Sequence, residues 1–231
     1  MKRVFVKLII LIVFAIFLSG CSEKSAMKSN KTIIRDLTVE LKDTYKGPNI
    51  ENKIQEVNSI SDSYFGHDLN IIFEQSDEIV RGIVKNIEYV SFTGLPWTKA
   101  DIQITESYKG ILKEGDIITI FTYGGYIKLE DHIKYFDDGF RFSSIIESDI
   151  KNTVLMEKHN GKPLLKLDDD LFFPLVKNSS ERPFPLGTYE NLSVAGMLYI
   201  DKNGKFIQDY YDEGKKSTNV FTIDEVKSKV K

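Results

Sequence analysis

Between Glu78 and Tyr123 apolar and polar residues alternate with period two, interrupted only by turn residues, and that pattern commits the stretch to β-strands. Ile79, Ile83, Ile87 and Tyr89 fall near one face of a first strand, with Gly82 placed where a strand coils or bulges. A turn at Phe92-Thr93-Gly94-Leu95-Pro96-Trp97 leads into a second strand, in which Ala100, Ile102 and Ile104 alternate with Asp101, Gln103 and Thr105. Lys109-Gly110 and Glu114-Gly115-Asp116 end it and open a third, Ile117 to Tyr123, which stops at Gly124-Gly125.

Around this run the pattern is looser. Asp68 caps a helix with Leu69, Ile72 and Phe73 on one face. Upstream, Asn49 or Glu51 opens a short helix carrying Ile54 and Val57, while Thr32 to Tyr45 fits either a helical stripe or a strand. Leu129 to Phe136 reads as helical, so residues 126–152 form a helical insertion between strands. The sheet resumes in Thr153 to Glu157 and Leu164 to Leu167, a hairpin joined at Asn160-Gly161, and in Leu171 to Val176. Tyr189 to Ile200 and Lys205 to Tyr210 make a last hairpin around Asn203-Gly204, and Thr222 with Glu225 forms a capping box. The fold class is mainly β: an OB-like Greek-key barrel with peripheral helices and one helical insertion.

The N-terminus has a different character. Lys2, Arg3 and Lys7 precede an apolar run, Leu8 to Leu18, shorter than the roughly 20 residues a membrane-spanning helix needs. The run closes on Leu18-Ser19-Gly20-Cys21, which resembles the lipobox of bacterial lipoproteins, where the cysteine thiol takes a diacylglycerol. This divides the chain into a signal peptide, 1–20; an acylated N-terminus and tether, 21–46; and one β-barrel domain, 47–231, with its core in 68–210. Cys21 is the only cysteine, so its acylation leaves no disulfide and no thiol metal site. Without Lys2, Arg3 and Lys7 the 31 basic residues fall to 28 against 34 acidic, a formal charge of −6. That balance argues against a nucleic-acid partner. The Lys-heavy, Ile- and Asn-rich composition suits a low-GC Gram-positive source.

Ser76-Asp77-Glu78-Ile79-Val80-Arg81-Gly82-Ile83-Val84, then Glu106-Ser107-Tyr108-Lys109-Gly110, then Glu114-Gly115-Asp116-Ile117-Ile118-Thr119-Ile120, resembles a pattern that recurs in bacterial exported proteins and lipoproteins. Their barrel is similar to the netrin-like fold of tissue inhibitors of metalloproteinases. The resemblance covers residues 68–125 and, loosely, 150–200, and it implies the barrel. The inhibitors' zinc chelation through a disulfide-pinned N-terminal cysteine does not carry over, because Cys21 has no partner cysteine and is expected to be lipid-bound.

Motifs for catalysis and metal binding are sparse. His67, His132 and His159 stand apart, and His132 beside Glu130 and Asp131 reads as part of a solvated charge cluster on a polar helix. Asp168-Asp169-Asp170 and Asp201-Lys202-Asn203-Gly204 both fail the calcium-loop spacing and read as turns. No Gly-x-Ser-x-Gly, Ser-x-x-Lys or phosphate-cradling loop is present. No cofactor is expected. The remaining constellation is aromatic: Phe92 and Trp97 in the first barrel loop, with Tyr123 and Tyr126 around Gly124-Gly125, either pack as core plugs, the commoner role of a lone tryptophan, or make a candidate ligand face for a protein, peptide or glycan.

The expectation from sequence is therefore a non-catalytic lipoprotein, held at the outer face of the cell membrane through acylated (palmitate-type) Cys21, that binds a ligand or protein partner. Two other readings stay open. One is an immunity or antagonist lipoprotein that sequesters a bacteriocin or secreted protease. The other is an envelope hydrolase using a carboxylate pair.

Overall fold

The computed structural model describes residues 46–49, 52–59, 66–135, 146–180, 183–212 and 215–230. The signal segment, Cys21 and all of the tether but Lys46 lie outside the described residues, as does the stretch read as helix or strand at 32–45. Along the chain run β1 (Lys53–Ser59), α1 (Leu69–Glu74), β2 (Glu78–Phe92), β3 (Leu95–Lys109), β4 (Ile117–Tyr123), β5 (Gly125–Lys128), α2 (Leu129–Ile133) and α3 (Glu147–Asn152). They are followed by β6 (Thr153–His159), β7 (Asp170–Lys177), β8 (Tyr189–Asn191), a 3-10 turn (Val194–Gly196), β9 (Leu198–Ile200), β10 (Phe206–Asp212), β11 (Lys215–Phe221) and α4 (Ile223–Lys229).

Eight strands form one sheet in the order β11-β10-β9-β7-β2-β3-β4-β8, and a further β7–β8 pairing turns five of them into a ring. β8 closes it, lying parallel to β4 and antiparallel to β7. The strand made last thus returns between the third and fourth, a Greek-key path in an OB-like barrel. The second edge of β7 is shared, with Leu175 to Lys177 on β8 and Leu171 and Phe172 on β9. One strand therefore both closes the ring and extends the sheet outward.

Closure needs strong coiling of the two 15-residue strands, and β2 supplies it with register shifts on both sides of Gly82. A Cβ at Gly82 would stand 2.5 Å from Ile102 Cγ2 and 2.8 Å from the Gln103 carbonyl oxygen, so only glycine lets β3 approach this closely. The inward residues Val80, Val84, Ile102, Ile104, Ile120 and Phe173 fill the barrel. A second core lies outside it, where α1 and α4 set Ile72, Phe73 and Val226 against Phe172, Leu198 and Phe206. α1 is capped as expected: Asp68 Oδ1 accepts from Asn70 N at 2.8 Å. Its other end is held from β3, where Lys109 Nζ donates to the carbonyls of Phe73 (2.9 Å) and Glu74 (3.0 Å). The Thr222–Glu225 capping box is also formed.

Several local expectations are corrected. The segment with Ile54 and Val57 is strand β1, not a helix, because it pairs in parallel with β6 over seven registered residues. The hairpin at Asn160-Gly161 does not form. β1 and β5 already occupy both edges of β6, so 164–167 has no edge to join and runs irregularly. The insertion expected at 126–152 does contain α2 and α3, but the chain rejoins the ring only at Asp170, after a three-stranded sheet in the order β1-β6-β5. Tyr189 to Ile200 is broken by the 3-10 turn into β8 and β9, and only β9 pairs with β10 around Asn203-Gly204.

Candidate functional site

On the barrel's outer surface β2, β3 and β4 present alternate residues to one face: Val90 and Phe92, then Trp97, Lys99 and Asp101, then Thr119, Phe121 and Tyr123. Its polar half is self-satisfied. Lys99 Nζ meets Glu88 Oε2 at 2.7 Å, and Asp101 accepts from Thr119 Oγ1 at 2.7 Å and Asn86 Nδ2 at 3.1 Å. Its aromatic half is organised by Phe184, which arrives from the β7–β8 connection. The Phe184 ring stacks on Phe121 (centroids 4.2 Å, 11°), meets Trp97 at 4.8 Å and 64°, and lies 6.2 Å from Phe92. Phe184 is only 3 % exposed. Trp97 Nε1 is buried without a hydrogen-bond partner among the described residues, an uncompensated donor on a face otherwise matched.

Phe92, Trp97 and Tyr123, singled out from sequence, thus come together, with the indole edge-on to Tyr123 at 5.3 Å and 81°. Tyr126 does not join them. It packs edge-to-face with Tyr89 at 4.9 Å and 82°, on the far side of the Gly124-Gly125 turn. A Cβ on Gly125 would stand 2.8 Å from Tyr89 Cδ1, so the turn is glycine for close approach. Burial, reinforced by Tyr126, pushes the Tyr89 hydroxyl up to about 12.

Beside this face lies a buried polar group that sequence reading missed. Lys162 is 3 % exposed, and its ammonium donates to the carbonyls of Val194 and of Met197 (3.0 Å) and sits 5.7 Å from the Tyr199 ring centroid. Burial pushes it down to about 7. It borders a void of about 10 Å³, room for one water, whose other walls include Thr98, Thr122, Tyr123 and His159. Tyr123 donates to Glu157 Oε1 at 2.8 Å, and burial and that carboxylate raise its hydroxyl well above the usual range. His159 meets Tyr123 edge-on at 5.0 Å, and burial, with Lys162 nearby, holds its imidazole below the ordinary value.

The histidine expectations change in one case. His132 is not part of a solvated cluster: it is 8 % exposed, and its Nδ1 lies 2.8 Å from the Gly94 carbonyl, fixing α2 to the β2–β3 turn. Its neighbours Glu130 and Asp131 face outward, which is why the local sequence reads as polar. His67 stacks on Tyr210 at 4.1 Å. Asp169 and Asp201 accept backbone N–H groups within their own turns, as expected. Among the described residues no three His, Cys, Asp or Glu side chains converge as a metal site, and no helix is long and apolar enough to cross a membrane.

Among the described residues, two carboxylates share one arginine. Asp170 takes Arg81 in a two-pronged contact (Nε 2.9 Å, Nη2 2.7 Å), while Arg81 Nη1 reaches Glu106 Oε1 at 2.7 Å and Tyr108 donates to Glu106 Oε2 at 2.7 Å. The Tyr108 hydrogen bond and Arg81 hold the Glu106 carboxyl below the usual range. One guanidinium thus ties the two side chains together, and the Glu106 carboxyl, held below its usual range, is a poor donor of the proton that glycoside hydrolysis needs. A separate cleft of about 310 Å³ between α1 and α4 has Asn70, Glu74, Lys109 and Lys229 on its walls, but Lys109 is engaged in capping α1.

Compared with known families and curated proteins, the chain matches no family model and no curated protein. Its function has to be read from its own geometry.

Proposed function

We propose that the chain is an exported, lipid-anchored binding protein that holds a ligand or partner at the cell envelope through the aromatic half of its β2–β3–β4 face. The observation that carries this reading is the Trp97–Phe121–Phe184 cluster with its uncompensated indole N–H. It lies on the outer face of the barrel sheet, where Phe184 covers Phe121 and leaves Trp97 partly buried, beside the loops that OB-type barrels use for binding. Binding is favoured over hydrolysis because Arg81 neutralises the carboxylates that come together. The anchoring half of the proposal rests on the N-terminal sequence, with Cys21 as acceptor of the lipid and the bilayer as the partner on that side.

Two measurements test the two halves separately. In a low-GC Gram-positive host fed labelled palmitate, the full chain is expected to carry label in the membrane fraction and Cys21→Ser to carry none; equal labelling would refute the anchor. Retention of the protein on isolated cell envelopes is expected to fall by roughly tenfold or more in Trp97→Ala, as for a central aromatic anchor. Unchanged retention in a folded Trp97→Ala variant would mean that binding occurs elsewhere.

A further inference from the structure

The aromatic seat is already filled by a piece of this chain, and that occupant shows what fits it. Phe184 stands between Pro183 and Pro185. Proline fixes its own φ and restricts the residue before it, so Pro-Phe-Pro presents the phenyl ring from a stiff segment, which bends at Pro183 and Phe184 and turns at Leu186-Gly187. Among the described residues, the segment's ring contacts with the face are those of Phe184. Pro185 is exposed, and Leu186 next to it is 70 % exposed, an apolar side chain left in water beside an apolar site. At its C-terminal end the segment is tied to Thr188, whose N–H and Oγ1 donate to the Pro185 carbonyl at 3.3 and 2.6 Å. Thr188 is in turn tied across the base of the connection to Asn178 through a backbone contact of 3.0 Å and a side-chain contact of 2.9 Å.

The fit of the resident is incomplete. The ring satisfies the apolar surface of Phe121, Val90 and Trp97, but the segment leaves Trp97 Nε1 without an acceptor. An incoming peptide with the same stiff, proline-flanked bend that brings its own aromatic side chain and a carbonyl within reach of the indole would make the same ring contacts and one more hydrogen bond. A sugar is less suited, because the seat is a slot bounded by one ring face and one ring edge, not an open platform.

Building on the binding face argued above, we propose that the Pro183-Phe184-Pro185 segment is a resident stand-in for the ligand, and that the ligand is a proline-flanked aromatic segment of another polypeptide, which displaces it. Because the resident is covalently attached, it competes at an effective concentration of the order of millimolar, and the face discriminates against weak or partial matches.

The test uses the full chain and Trp97 fluorescence, which is free of other contributors because Trp97 is the only tryptophan. The probes are a synthetic peptide with the sequence of residues 181–187, the same peptide with alanine for phenylalanine, and a chito-oligosaccharide. Phe184→Ala empties the seat, and Phe184→Leu fills it only in part while keeping an apolar plug in case the alanine variant does not fold. The phenylalanine peptide is expected to bind both variants more tightly than the wild type, by roughly tenfold or more for Phe184→Ala. Binding is expected to shift Trp97 emission to the blue, and the alanine peptide is expected to do nothing. Absence of peptide binding to a variant shown by near-UV circular dichroism to be folded would overturn the proposal. Trp97-dependent binding of the oligosaccharide with a silent peptide would overturn the ligand class and leave the face standing; the envelope-retention measurement on Trp97→Ala decides the face itself.

Discussion

Gly110→Ala is expected to destabilise the barrel by about 4–6 kcal/mol, a large fraction of the roughly 5–15 kcal/mol that holds a typical domain together. Gly110 sits at φ +98°, and an alanine Cβ there would lie 2.0 Å from Glu78 Oε2 and 2.7 Å from the Asp77 carbonyl. The carboxylate cannot simply step aside. Glu78 is 5 % exposed and accepts from Ile111 N at 2.9 and 3.1 Å and from Leu112 N at 3.1 Å, so it closes the β3–β4 turn from the first residue of β2. The left-handed backbone costs a non-glycine residue about 1–2 kcal/mol. Displacing the carboxylate adds about 1.5–3 kcal/mol for each charge-assisted bond lost. Glu78→Gln, which keeps the shape and removes the charge, is expected to cost less than Gly110→Ala. Urea denaturation of the three proteins checks the order; a Gly110→Ala variant within 1 kcal/mol of wild type would contradict the turn geometry.

That turn also explains why part of the fold is legible in the sequence. Ser76-Asp77-Glu78 and Lys109-Gly110 form one structural unit. Asp77 Oδ2 accepts from Lys177 N at 2.8 Å, Glu78 holds the turn after Gly110, and Lys109 caps α1. β2, β3 and β4 could be read from alternation because each has one face in the barrel. β1 and β11 could not. Their residues are mostly exposed or half-buried, and their strand state comes from an available neighbouring edge, β6 or β10, which no local pattern encodes. The same division runs through the candidate site. Phe92, Trp97 and Tyr123 lie on adjacent registered strands, so their meeting follows from the hairpins. Tyr126 is separated from Tyr123 by the two-glycine turn, whose positive φ values at Gly124 and Gly125 redirect the chain. Phe184 and Lys162 carry no periodic signal at all, since one is a buried ring in a proline-rich connection and the other a buried cation in a coil.

Its burial gives Lys162 a part in the pH dependence of stability. Its charged form is disfavoured by burial and by Lys216 on β11 and favoured by Asp209 on β10, and the balance places it near 7 against an ordinary 10.5. Asp209 is itself shared with Lys216 Nζ at 3.0 Å and Thr218 Oγ1 at 2.7 Å, which limits what it offers Lys162. His159 on β6 is held neutral more readily than usual, and Tyr199 on β9, raised by burial, contributes only its ring face in this range. Between pH 7 and 10.5 the unfolded chain therefore binds the proton that the folded chain has released, so stability rises with pH. At about 1.4 kcal/mol per pH unit the gain across the whole window is about 4–5 kcal/mol, and below pH 7 this contribution is flat. His159 acts in the same direction lower down, below its ordinary value, so acidification continues to weaken the fold there. Tyrosine ionisation enters only near the top of the window: Tyr89, Tyr108, Tyr123 and Tyr199 are all raised when folded, which turns the curve downward above about pH 10. Lys162→Met removes the titrating group and keeps the apolar stem, at the price of leaving the Val194 and Met197 carbonyls without their donor. Its absolute stability is thus set by two opposing effects, but its pH slope is not. Denaturation midpoints measured from pH 6 to 9.5 are expected to climb for the wild type above pH 7 and to stay level for Lys162→Met. Parallel profiles would mean that the two carbonyls and the Tyr199 ring keep the ammonium charged throughout, and that the buried lysine is a fixed cation clamping the 3-10 turn to the barrel.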